Sequence, residues 1–194
     1  MNGAKWFSTF DLHSGYHHVM IEDDSLDKTT FVTREGTFRF RVMPFGMTGA
    51  PATFQRLMDL VMSGLNLDIC LVYLDDIIVF AADVSSHLNR LRPVFGRLQA
   101  AGLKLKPSKY RLFQRRVAFL GHLVSDQGIE TDPDKVASVA SWPMPRSISN
   151  FRSFIGLASY YRRFVPDFAA IASIACVDSA SGTVQMGRTL SNRL

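Results

Sequence analysis

Cysteine is nearly absent, with two residues in 194, Cys70 and Cys176. Two thiols cannot build a disulfide framework, and neither has the Cys or His neighbours that a zinc site needs. A reducing, intracellular and cytoplasmic setting is therefore expected. Long apolar runs are missing as well. Those present are short and interrupted, which excludes a membrane-spanning helix, and Met1-Asn2-Gly3-Ala4-Lys5 is followed by no apolar run, so no signal peptide is expected. No internal repeat is visible. With 47% hydrophobic and 20% charged residues the composition is that of a globular chain, long enough for one domain or one and a half.

Acid is missing from one long stretch. Between Arg90 and Arg116 stand Arg90, Arg92, Arg97, Lys104, Lys106, Lys109, Arg111, Arg115 and Arg116, with no Asp or Glu among them. Acids cluster elsewhere, at Glu22, Asp23, Asp24 and Asp27. Two readings of the basic block stand side by side: a solvated helix face, or a surface that holds a polyanion. The net charge of +5 does not choose between them.

Hydrophobic periodicity gives the element order. Phe7 to Asp11 reads as a strand ending in a carboxylate. Thr30 to Val42 reads as a hairpin turning at Glu35-Gly36, with Phe38, Phe40 and Val42 alternating with Arg39 and Arg41. Pro51 opens a helix whose Phe54, Leu57, Met58, Val61, Met62 and Leu65 share one face. Ile69–Tyr73 and Ile77–Phe80 form a second hairpin with two acids at its tip. Asp83 or Ser85 caps a helix with a Leu88, Leu91, Phe95 and Leu98 stripe, stopped at Gly102. Val117 to Val124 is strand-like, broken at Gly121, and Asp126-Gln127-Gly128 turns. Two helices follow, one from Asp132-Pro133 to before Trp142-Pro143, the other capped by Ser147 or Ser149, carrying Phe151, Phe154, Ile155 and Ala158, and closed by Pro166. From about Ser173 no period remains. The class is α+β with an antiparallel central sheet flanked by helices, then a small helical subdomain.

Asp75 and Asp76 sit where two very apolar strands meet. Burying adjacent carboxylates costs hydration and brings like charges together. A divalent cation compensates both, and hard oxygen ligands favour magnesium or manganese. Neighbouring strand residues point to opposite faces, so one of the pair should bind closely and the other assist. Asp11, at another strand end, is the natural opposite ligand. Paired metals about 3.5–4 Å apart in such a clamp suit in-line phosphoryl transfer. The competing reading is a polar hairpin tip, where Asp is common.

Tyr73-Leu74-Asp75-Asp76 between apolar strands resembles the active-site hairpin of reverse transcriptases. Phe7-Ser8-Thr9-Phe10-Asp11-Leu12-His13-Ser14-Gly15-Tyr16-His17 is similar to that family's first catalytic motif. Met43-Pro44-Phe45-Gly46-Met47 with Ala50-Pro51-Ala52-Thr53-Phe54-Gln55-Arg56 resembles its nucleotide-pocket loop and following helix. Phe119-Leu120-Gly121-His122 is similar to the primer grip. Trp142-Pro143 and Gly156-Leu157-Ala158-Ser159-Tyr160-Tyr161-Arg162-Arg163-Phe164 resemble connecting and thumb segments of gypsy-type LTR retrotransposon polymerases. The resemblance runs from about Lys5 to Phe168.

It implies a polymerase palm with partial fingers over 1–124, connection and thumb over 125–170, and an irregular tail over 171–194. It implies RNA-directed DNA polymerisation by two-metal nucleotidyl transfer, with Asp11, Asp75 and Asp76 catalytic and the two Mg2+ ions, or Mn2+ in their place, held by these acids and Leu12. Tyr16 would be the steric gate against ribose, Phe45 and Gly46 the nucleotide pocket, and Lys109 a partner of the leaving pyrophosphate. Tyr73, Leu74, Gly121, His122, Arg152, Arg162 and Arg163 would meet nucleic acid. The residues alone also allow a packed aromatic at Tyr16, a generic phosphate contact at Lys109 and a surface histidine at His122. His17-His18 has no third ligand in view and is assigned to structure. Implied partners are a primed RNA or DNA template, deoxynucleoside triphosphates and the remainder of a Pol polyprotein (fingers, RNase H, integrase), with no membrane. The chain is expected to be truncated at both ends, and Gly49 stands where the family usually has Asn. A catalytically inactive remnant that only binds nucleic acid is the alternative.

Overall fold

The computed structural model describes residues 3–145 and 147–172. The irregular tail expected from 171 lies outside them from Ser173 onward. The described residues divide into two compact units, one of 3–120 with 124–128, the other of 121–123 with the described residues from 129.

The first unit is built on a four-stranded antiparallel sheet. β1 (Trp6–Asp11) lies between β5 (Asp76–Ala81) and β6 (Arg111–Gln114), and β4 (Cys70–Tyr73) is the edge beyond β5. β4 and β5 are the second expected hairpin, closed by Leu74 and Asp75, so Asp76 opens a strand and only Asp75 is in the turn. The near-continuous apolar run of β5 is explained by burial on both faces. Ile77 and Val79, with Phe10 and Leu12, pack under two helices. Ile78 and Phe80 join Phe7, Val117 and Val124 on the other side.

Those helices are α1 (Ala50–Val61), with Pro51 in its first turn, and α2 (Val84–Ala100). α1 buries Phe54 and Met58, with Met62 just beyond its end. Each fully buried side chain of this size is worth about 1.5–3 kcal/mol. Asp83 caps α2 by accepting the Ser86 N–H at 2.8 Å. Of the expected α2 stripe, Leu91 and Leu98 are buried, whereas His87 and Val94 replace their neighbours Leu88 and Phe95 on the buried line. Leu88 is 53% exposed, and the buried line is His87, Leu91, Val94 and Leu98, which keeps the i, i+4, i+7, i+11 spacing of one face. His87 is tolerated there because its Nε2 lies 2.7 Å from the buried Ser8 Oγ, which also accepts the Phe113 N–H at 3.1 Å.

The Thr30–Val42 hairpin is shorter than expected. β2 (Phe31–Thr33) and β3 (Gly36–Phe38) turn at Arg34-Glu35, and Phe40 and Val42 fall beyond the strands. Neither face is buried; Phe31, Phe38 and Phe40 stay part-exposed and pack on one another. β6 is a strand that periodicity misses, because it is a four-residue edge with a register shift and Phe113 at φ 51°. β7 (Arg116–Phe119), β8 (His122–Ser125) and β9 (Gly128–Thr131) are hydrogen-bonded in that order. β9, wet and short, is also unpredicted, and it takes Gly128 out of the expected turn.

The second unit holds α3 (Pro133–Ala140), capped by Asp132, and α4 (Ile148–Ser159), capped by Ser147. Val139, Phe154, Ala158 and Tyr161 form its core. α4 ends at Ser159 rather than at Pro166, and one 3₁₀ turn, Arg162–Phe164, fills the interval. Among the described residues no helix is long and apolar enough to cross a membrane.

Ser8→Ala removes the hydroxyl that His87 and the Phe113 N–H share. It should lower stability by about 1–3 kcal/mol, the cost of stranding buried polar partners. A urea midpoint that falls at unchanged slope checks this; an unmoved midpoint would show the hydroxyl to be idle.

Candidate active site

The register of β1 against β5 sets Asp11 directly opposite Asp76. Opposed residues of an antiparallel pair share a face, and both line one cleft of about 480 Å³ with Thr9, Ser108, Lys109 and Arg111. A short 3₁₀ turn, Pro107–Lys109, brings in the lysine. It is anchored by the Lys106 N–H, which donates to the Asp11 carbonyl at 2.9 Å. Lys109 Nζ then donates to Asp11 Oδ2 at 2.7 Å. That hydrogen bond, and behind it the charges of Asp11, Asp76 and Asp75, hold the Lys109 ammonium above the usual lysine range.

Asp75 reaches the same end of the sheet from the turn. The Leu12 N–H donates to its carbonyl at 3.1 Å. Its carboxylate lies against Gly15, and Oδ1 is buried with no hydrogen-bond partner. Burial first, then the charges of Asp11 and Asp76, push the Asp75 carboxyl above the usual carboxylate range. Burial and the Asp11 charge do the same to Asp76. Gly15 is a site residue whose role the sequence did not disclose. A Cβ there would overlap Asp75 Oδ1 and come within 2.7 Å of the Phe54 ring, so the glycine is needed for close approach rather than for a special φ.

The remaining expected residues fall into two groups. Tyr16 follows Gly15 in the 3₁₀ turn Gly15–His18 and packs edge-on to Phe54 at 5.4 Å and tilted to Phe45 at 5.5 Å. Burial, then the nearby Asp75 charge, raise its hydroxyl pKa. Phe45 is 61% exposed and Gly46 beside it has φ 92°. Tyr73 is exposed at the end of β4, and Leu74 sits in the left-handed region at φ 50°. Thus Asp11, Asp76 and Lys109 are together in the cleft, Asp75 and Tyr16 are together near Phe54 with Phe45 on Tyr16, and Leu12 joins the two through its backbone.

The second group is in the other unit. His122 is not a surface histidine. Its ring stacks on Tyr160 (5.2 Å, 9°) and meets Tyr161 edge-on, while the Tyr161 hydroxyl donates to the Gly121 carbonyl at 3.4 Å. Arg152 on α4, and Arg162 and Arg163 in the last 3₁₀ turn, are exposed.

Chemically, this end of the sheet offers hard oxygen donors, an orphaned buried carboxylate oxygen and carboxyl groups that repel one another. That donor set fits a divalent cation. Among the described residues no three His, Cys, Asp or Glu side chains are disposed to hold one ion as they stand. Lys109 now occupies Asp11, and Asp75 is not among the residues lining the Asp11–Asp76 cleft.

The raised carboxyls have a consequence for stability. Each binds its proton more tightly in the folded chain than in the unfolded one. Their contribution is therefore full at low pH and is lost as pH rises from about 4 through their folded values. Asp75→Asn should consequently raise the metal-free Tm at pH 7.5 and flatten its decline between pH 4 and 7.5. Thermal scans across that range decide it, and a variant that melts lower at pH 7.5 would contradict it.

The reverse transcriptase (RNA-dependent DNA polymerase) family matches residues 1–124. The chain is 42% identical over 169 residues to the retrovirus-related Pol polyprotein from transposon 297 of Drosophila melanogaster, covering 87% of this chain and 16% of that protein. It is 41% identical over 169 residues, with the same coverage, to the Pol polyprotein from transposon gypsy of Drosophila melanogaster. It thus spans about one sixth of the length of these relatives. Among solved structures, the foamy viral protease-reverse transcriptase dRH in complex with double-stranded DNA superposes with a TM-score of 0.87 at 26% identity, over 97% of this chain and 34% of that one. The foamy viral enzyme in complex with an RNA/DNA hybrid gives 0.82 at 26% identity, over 97% and 26%. The expected α+β palm-type fold is thereby found. The chain belongs to the reverse transcriptase family and is of the gypsy-type Pol lineage.

Proposed function

We propose that this chain is the nucleotidyl-transfer part of an RNA-directed DNA polymerase. It extends a primer on an RNA or DNA template with deoxynucleoside triphosphates, within a longer Pol polyprotein. The observation that carries the reading is the opposition of Asp11 and Asp76 across β1 and β5, with Asp75 in the adjoining turn and Lys109 on Asp11. The nucleic acids bound by the foamy viral structures, double-stranded DNA and an RNA/DNA hybrid, support a primed template as partner.

Asp11, Asp75 and Asp76, with the backbone of Leu12, would hold two divalent cations, Mg2+ or Mn2+. Bound there, these supply charge neutralisation at the phosphates and acidify the primer hydroxyl. The chain's own groups do the rest. Lys109 exchanges its contact with Asp11 for the leaving pyrophosphate, neutralising it or giving it a proton at a bridging oxygen. Tyr16, braced by Phe54 and Phe45, presents an aromatic edge below the sugar and rejects a ribose hydroxyl by overlap. Gly46 lets the backbone approach the nucleotide closely. Gly121 and His122, held by Tyr160 and Tyr161, grip the primer backbone at the end of the palm segment, and Arg152, Arg162 and Arg163 of the thumb meet phosphates. The palm and partial fingers then correspond to 1–124, and connection and thumb to 125–170.

Primer extension on an RNA template with Mg2+ tests this. Asp75→Asn should cost about a hundredfold or more, the scale of losing one preorganised electrostatic group. Salt-sensitive template binding by the unaltered chain without extension would assign it to the nucleic-acid-binding remnant instead. Added Mg2+ should raise the Tm of the unaltered chain and leave Asp75→Asn unmoved. Tyr16→Ala should admit ribonucleotides in the extension assay; intact exclusion would remove Tyr16 from the gate.

A further inference from the structure

The turn that carries Asp75 is under tension. Leu74 is a γ-branched residue at φ 50°, a left-handed setting that is strained for any residue but glycine. Something outside the hairpin must hold it. The two ends of the turn are the paired residues Tyr73 and Asp76, but that pairing leaves the Leu74 N–H to find another acceptor.

It finds one on α1. Gln55 Oε1 accepts the Leu74 N–H at 2.8 Å, nineteen residues away in sequence. A glutamine amide can present either end, and only the oxygen can take this bond. Its orientation is selected one helical turn further on, where Gln55 Nε2 donates to Asp59 Oδ1 at 2.9 Å. With the amide nitrogen on a carboxylate, the oxygen is left facing the hairpin. Asp59, Gln55 and Leu74 thus form a relay from the outer surface of α1 to the backbone beside Asp75. The same helix supplies Phe54, which stands against Gly15 and Tyr16.

We infer that Gln55, oriented by Asp59, is a positioning residue that locks the Tyr73–Asp76 turn and thereby sets the Asp75 carboxylate for cation binding. The inference rests on the polymerase reading for its purpose but not for its test. Gln55 touches neither the carboxylates nor the cleft; it acts only through the Leu74 amide. Losing the bond frees the turn to relax toward right-handed backbone, and Asp75 moves with it.

The first readout is hydrogen exchange of the Leu74 amide in the metal-free chain, followed with Val72 and Ile77 as internal references. Gln55→Met keeps length and helix propensity but has no acceptor. It should lower Leu74 protection about tenfold, the scale of one part-buried hydrogen bond, while Val72 and Ile77 keep theirs. The second readout is Mn2+ affinity by electron paramagnetic resonance titration, expected to weaken about three- to tenfold. Asp59→Asn, which retains an acceptor oxygen for Gln55, should behave as the unaltered chain in both. Asp59→Leu, which leaves Gln55 in place but removes the partner of its amide nitrogen, should reproduce part of the Gln55→Met effect. If Leu74 protection survives Gln55→Met, the relay does not exist. If protection falls but Mn2+ affinity is unchanged, Gln55 supports the turn without setting the acid, and the inference fails. Should Gln55→Met unfold the chain, the Asp59 pair decides alone. Absence of primer extension by the unaltered chain would count against the polymerase reading and leave these two measurements standing.

Discussion

Three carboxylates are brought to one end of a sheet whose two middle strands are largely apolar, and their like charges repel one another there. That repulsion organises the structure around it. Asp11 is quieted by Lys109, which arrives on a 3₁₀ turn anchored to the same strand end by Lys106. Asp75 has no such partner and keeps a buried oxygen unsatisfied. Room for it is made by the missing side chain at Gly15. A sheet end that was only structural would be cheaper with Asn or Thr in these places. Perturbed carboxyls gathered at one place are the electrostatic signature on which the proposed cation site rests.

The two units answer different demands. The first places charge, through a sheet buried on both faces so that its ends cannot shift. The second is a small bundle whose polar groups are tied to aromatic rings: His122 lies flat on Tyr160, and Tyr161 reaches the Gly121 carbonyl. Leu120 at φ 48° and Gly121 at φ 72° form the turn between β7 and β8. Planar stacking fixes a ring's direction where aliphatic packing would let it roll.

Much of the fold could be read before any coordinates. β1, the β4–β5 hairpin, α1 and the last two helices announce themselves because their patterns are strong and their ends carry Pro, Asp or Ser with a definite job. What escaped was β6 and β9, short wet edges without alternation, and the true rotation of α2. Hydropathy prefers Leu88 to His87, yet a histidine with a buried serine to bind outcompetes a leucine that finds no gap. The same holds in the site. Acidic residues and aromatic motifs stand out in a sequence, whereas Gly15 is defined only by what sits 2.7 Å from where its side chain would be. His122 stands out in the sequence as a candidate residue but not as a member of an aromatic stack, because Tyr160 and Tyr161 come from a helix end nearly forty positions later.

The Ser8–His87 contact gives α2 a key. A helix seated on leucines alone can rotate or slide by a residue at modest cost, since oily surfaces are interchangeable. Here one azimuth gives the imidazole Nε2 its partner, and turning the helix a single position, about 100°, would take that partner away. Drift at these two positions is therefore coupled: either residue can be replaced safely only with its mate, and lineages that lose one should be found to have exchanged both for a purely apolar pair.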